Sequence, residues 1–311
     1  MNIFRTGIGA LAMIAGLLAL NGCTAKKNPA FDAEAYKKGI VAWQTKRAAR
    51  ISAEDGWISL AGLFWLKPGE NTFGSDSLNS MVLPHSVPSK AGSLILRGDS
   101  VTLVTKKNSG VKVNDSSVVK TRLRSDADST GTDMVSLGSV NFYVIKRADR
   151  VGVRAKDKQS PARLNFAGLR FFPVDTKWRT TGTFTKFETP LKMAIPTVIG
   201  TVDTFPCPGE VSFVIGDSTV KLLAMTEQGS EDKLYFMFSD ETSGRETYGA
   251  GRQLYSPLPD SVGNVDLDFN QSINWPCAYT PYATCPIPPS RNHLKIRIEA
   301  GEQLYLGKTG E

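Results

Sequence analysis

The chain has 311 residues, 37 Lys and Arg against 30 Asp and Glu for a formal charge of +7, and 41% apolar residues. This ordinary globular composition excludes a disordered, collagen-like or polytopic membrane chain. Four cysteines and two histidines are too few for a disulfide-dense miniprotein or a His-rich metal enzyme, and no metal or other cofactor is expected.

Residues 1–22 carry one charge, Arg5, ahead of an apolar run from position 8 to position 20. The run is too short to span a bilayer comfortably, and with a basic start and small residues at its end it reads as a secretory signal. Leu20, Asn21, Gly22 and Cys23 resemble a bacterial lipobox. That resemblance implies an acylated Cys23 at the start of a mature chain of 289 residues. Thr24 follows, not Asp, which implies sorting to the periplasmic face of the outer membrane. Residues 23–50 hold seven basic and two acidic groups, whereas the remainder has 29 basic and 28 acidic. Acyl chains beside a basic segment make a two-signal anchor, so the membrane is an expected partner. A nearly neutral body argues against nucleic acid.

Asn28 and Pro29 suit a helix start, acidic Asp32 and Glu34 follow, and Lys46, Arg47 and Arg50 lie near the other end. Tyr36, Ile40 and Trp43 recur at helical spacing, which predicts an amphipathic helix over about 30 to 50 packed by that stripe. From Trp57 onward the chain changes to short strands punctuated by turn sequences at 68–71, 97–100, 107–110, 125–133 and 216–218. Such punctuation predicts an all-β sandwich or barrel. Trp178, Thr180, Gly182 and Phe184 alternate, as do Leu294, Ile296 and Ile298 against Lys295, Arg297 and Glu299, while KLYFMF at 233–238 reads as a central strand.

The stretch 69–115 resembles a forkhead-associated domain, through the turn at Gly74, the strand at 79–83, the Ser89 turn and the run from Asn108, Ser109 and Gly110 to Asn114. That resemblance implies a β-sandwich. Ser75 and Gly92 stand where that family has an arginine and a histidine, so the architecture carries over and the phosphothreonine ligand does not. The blocks at 56–76, 240–255 and 268–294 resemble the bacterial family of domain of unknown function 1684, departing from it at Trp275 and His293. That family implies an envelope setting and no established activity. The expected fold is mainly β: signal 1–22, anchor and helix 23–55, forkhead-associated-like sandwich 56–157, and a larger antiparallel β domain, barrel or sandwich, at 158–311.

Residues 269–290 form a 22-residue uncharged stretch with five prolines, four aromatics, Cys277 and Cys285. Export permits a disulfide, and Cys277 joined to Cys285 would tie the loop by about 2 to 3 kcal/mol, with Cys207 as an alternative partner. Sharper readings are a thiolate with His293 as base oriented by Asp268 or Asn292, and a zinc site of Cys277, Cys285 and His293. The Gly-rich connection after KLYFMF places Asp240, Glu246 and Arg252 near Gly244, Gly249 and Gly251. Beside the 268–293 segment these would form a polar pocket with Asp268, Asn270, Asn274 and Asn292, suited to a glycan, a peptide or an envelope protein. The same residues could equally be paired side chains that lock two loops. The competing class is a hydrolase using Glu246 and Asp268 as a carboxylate pair. No GxSxG, HExxH or Walker loop is present, and Ser218 with Lys221 fits SxxK only by spacing, so no catalytic residue is assigned.

Overall fold

The computed structural model describes residues 31–307; the signal at 1–22 and the lipidation reading at Cys23 lie outside them. The predicted helix runs over Ala33–Ile51, with Glu34 in its first turn and Arg50 in its last complementing the helix dipole. Ile40 is buried, and Trp43 meets Phe171 edge-on at 6.4 Å. No helix among the described residues is long and apolar enough to cross a membrane.

From Leu60 onward the fold is strands, giving a mainly β protein with several antiparallel sheets and no closed barrel among the described residues. Of the barrel and the sandwich, the layered form is present. A five-stranded sheet (Met81–Val82, Gly69–Gly74, Gly92–Arg97, Ser100–Thr105, Lys120–Leu123) shares one core with a six-stranded sheet that includes Leu60–Trp65, Arg150–Asp157 and Val140–Arg147. Strand alternation turns Leu94, Leu103, Val151, Val153 and Ala155 inward, around Phe73 and Phe142 in edge contact at 5.3 Å. Gly74 is obligatory at its turn, because a Cβ there would lie 2.3 Å from the Ser89 carbonyl oxygen. Asn79 closes the same turn by donating to that oxygen at 2.7 Å.

The second core lies between two four-stranded sheets, one ordered Ser218–Ala224, Val202–Ile215, Arg179–Pro196, Asn264–Asp268, the other Ile273–Asn274, Arg252–Pro257, Lys233–Asp240, His293–Leu294. KLYFMF is central as predicted, with Leu234, Phe236 and Phe238 in this core. The alternation at 294–298 forms a strand only at His293–Leu294. Leu294 and Ile298 still point inward, but the carbonyls of Ile298 and Ala300 accept from the Arg252 guanidinium, which takes the place of a neighbouring strand. The described residues from Ala33 onward hold together as one unit.

The expected disulfide is corrected: Cys207, Cys277 and Cys285 are free thiols. Cys277 lies within a short 3₁₀ turn, Pro276–Ala278, and its backbone N–H donates to the Cys285 sulfur at 3.2 Å, so the two meet as hydrogen-bond partners. The contact between the two side chains holds the Cys277 thiol below its ordinary pKa and, with burial, pushes Cys285 up. The loop is ordered instead by backbone bonds to the tip of the long hairpin, Val198 N–H to Cys285 O at 2.9 Å and Ile287 N–H to Pro196 O at 2.8 Å.

Candidate functional site

Where these elements converge they leave a cavity of about 450 Å³, within the range of small-molecule sites. On strand Arg150–Asp157 the residues alternating with Val151, Val153 and Ala155 face away from the sandwich core, which turns Arg154 toward the C-terminal half. The long hairpin contributes Asp203 and Phe205, and the Pro-rich loop contributes Trp275, Thr284 and Cys285. Tyr235 and Tyr255 are directly opposed across paired strands and stack at 4.9 Å, with Trp275 edge-on to Tyr235 at 6.2 Å. Arg47 of the helix, Trp57 and Glu227 complete the wall.

The charges around this cavity are unevenly matched. Arg47 pairs with buried Glu302 at 2.8 Å, and Arg147 pairs with Asp126 at 2.7 Å. Arg154 is only 4% exposed, yet among the described residues no carboxylate lies within ion-pairing distance of it. Its hydrogen bonds are two long ones to neutral hydroxyls, Tyr143 and Thr284, each 3.4 Å, with the Trp57 ring 5.4 Å away. Its Nε and the Nε1 of Trp275, which is 3% exposed, are buried donors without acceptors. Across the cavity, burial raises the carboxyl pKa of Asp203 and of Glu227. Burial also keeps the Tyr235 and Tyr255 phenols protonated, so they donate to Gln253 at 3.2 Å and to Glu227 at 2.8 Å.

The residues singled out by sequence are distributed differently. Asp240 and Arg252 are fully buried and paired at 2.5 Å. Asn292 bonds the backbone of Leu223 and Met237, Asn274 that of Gln303, and Asn270 the Tyr36 hydroxyl and the Asp175 carbonyl. Glu246 pairs with Arg297 at 2.7 Å, and Asp268 accepts from Tyr36 at 2.8 Å beside the helix. These side chains tie loops to strands; they do not line the cavity. Gly251 comes close to backbone, but the backbone is the Phe238 carbonyl of the adjoining strand. His293 contacts Ser239 at 3.0 Å and Glu241 at 3.4 Å, away from the thiol and zinc roles considered for it. Lys221 pairs with Glu210 at 2.5 Å. Sequence reasoning missed Arg47, Arg154, Asp203, Glu227 and Tyr255. One local signal existed: Arg154 interrupts a short apolar run, Val151, Gly152, Val153 and Ala155.

Residues 164–303 match the family described as "Protein of unknown function (DUF1684)". Among solved structures, the chain is similar to an uncharacterized protein of Haloarcula marismortui determined by NMR, at 29% identity and TM-score 0.39, covering 47% of this chain and 80% of that one. It is also similar to an FHA domain studied for phosphothreonine-dependent interactions, at 17% identity and TM-score 0.22, covering 30% of this chain and 92% of that one. The FhaA FHA domain, complexed with the intracellular domain of Rv3910, gives 19% identity and TM-score 0.22 over 30% of this chain and 97% of that one. Among curated proteins nothing matches the chain.

Proposed function

We propose that this chain is a lipid-anchored envelope protein that binds a small ligand with an anionic group in the cavity of Arg154. The observation that carries the binding reading is a buried guanidinium in the cavity wall with no carboxylate partner among the described residues. A buried charge left alone costs several kcal/mol, and an anion in the cavity would supply the guanidinium with the acceptor it lacks. The aromatic wall supplies apolar contact for the rest of the ligand. The hydrolytic alternative has less support, because Glu246 and Asp268 are engaged with different partners, Arg297 and Tyr36.

Isothermal titration with acetate, phosphate and a panel of envelope-derived carboxylates is expected to find saturable binding that Arg154→Met lowers by about tenfold or more. Equal affinity in wild type and variant overturns the site. The anchor rests on the lipobox-like residues before Cys23 and the basic segment that follows. Mass spectrometry of native protein is expected to show a diacylglyceryl group on an N-terminal Cys23, and an unmodified sulfur there overturns it.

A further inference from the structure

The cavity presents charges of both signs, and neither is fully compensated from within the protein. Among the described residues Arg154 has no ion pair, and the neighbouring cation Arg147, whose charge also acts on Asp203, is engaged by Asp126. Of the carboxylates lining the cavity, Asp203 makes no hydrogen bond or ion pair among the described residues, and among them the one side-chain partner of Glu227 is the neutral Tyr255 hydroxyl. We infer that the cavity takes a small zwitterion, an amino acid or short peptide, whose carboxylate meets Arg154 and whose ammonium meets Asp203 and Glu227. This deepens the anion-binding reading and rests on it.

The physical argument is one of charge compensation. A purely anionic ligand would answer Arg154 and leave two half-buried carboxylates unmatched, with added repulsion between like charges. A neutral saccharide would leave the guanidinium unanswered as well. A ligand with one charge of each sign compensates both ends and places its apolar portion among aromatic rings. Those rings also favour a cation lying over their faces. Burial raises both carboxyls and outweighs the opposing pull of the Arg147 charge on Asp203 and of the Tyr255 hydrogen bond on Glu227, and a bound ammonium would add to that pull. The cavity, about 450 Å³, has room for a single amino acid or a dipeptide.

Titration of the full chain with the twenty L-amino acids and with L-alanyl-L-phenylalanine, followed by calorimetry and tryptophan fluorescence, tests this. Free zwitterions are expected to bind, with the amino acid and dipeptide arms separating the two sources. N-acetylation of the tightest binder is expected to weaken it by about tenfold or more. The D203N/E227Q variant is expected to lose the same factor for the free amine while binding the N-acetyl form at least as tightly as wild type does, which also reports an intact fold. If the N-acetyl form, acetate or D-glucuronate binds as tightly as the free amino acid, the zwitterion inference falls and the anion site stands. If no anion or zwitterion binds, or Arg154→Met changes nothing, both fall.

Discussion

Arg252 and Arg154 carry the same charge into the protein interior, and only the first meets a carboxylate there. Arg252 is paired with Asp240 at 2.5 Å, with both side chains fully buried, and it also donates to the Ile298 and Ala300 carbonyls. Removing one partner of such a pair strands the other charge in a low dielectric, at about 3–5 kcal/mol. Arg252→Met is therefore expected to lower the urea-unfolding free energy by that amount while leaving binding in the Arg154 cavity unchanged. Arg154→Met works in the other direction, since it deletes a charge whose only hydrogen bonds are two of 3.4 Å and retains most of the apolar stem. Its stability is expected to match or exceed that of wild type. A large loss of stability in Arg154→Met, or a small one in Arg252→Met, would reverse the roles assigned to the two arginines.

At the scale of elements, local chemistry carried most of the fold into the sequence. Period-two alternation and turn sequences fix strands because a strand's faces and a turn's φ values are decided within a few residues. Gly98 and Gly216 duly adopt positive φ at the hairpins predicted around them. The helix is legible for the same reason, since Tyr36, Ile40 and Trp43 declare one face. The cavity is assembled by pairings that no local window contains: strand Arg150–Asp157, the hairpin Arg179–Pro196 with Val202–Ile215, and the loop after Trp275 meet only in the folded chain. Charged residues clustered in sequence around Asp240 and Arg252 therefore drew attention, although folding spends them on each other. Arg154, Asp203 and Glu227 stood alone in sequence and were brought together by topology. The Pro-rich loop was legible as a special segment, but its order comes from backbone bonds to a distant hairpin tip, not from a covalent tie.

At the scale of the whole molecule, the buried carboxyls give stability a pH profile that can be worked out. Burial raises the Asp203 and Glu227 pKa values above those of an unfolded chain, which lie near 4. Between the unfolded and folded values the native state holds protons that the unfolded state has lost, so stability falls as pH rises through that window. Asp133 acts on the other flank. Hydrogen bonds from Arg124 hold it at about 2, so its contribution is complete above the unfolded value and is lost as pH falls through about 2. Urea midpoints measured from pH 4 to pH 8 are expected to decline in the wild type and to flatten in D203N/E227Q, with the variant the more stable of the two at neutral pH. Adding the zwitterion that binds in the Arg154 cavity is expected to raise the neutral-pH stability of the wild type more than that of the variant, because only in the wild type does its ammonium compensate the two carboxyls. A wild-type midpoint that rises across this range, or a ligand effect equal in both proteins, would show that the two carboxyls are compensated from within the fold and that the cavity is not organised around them.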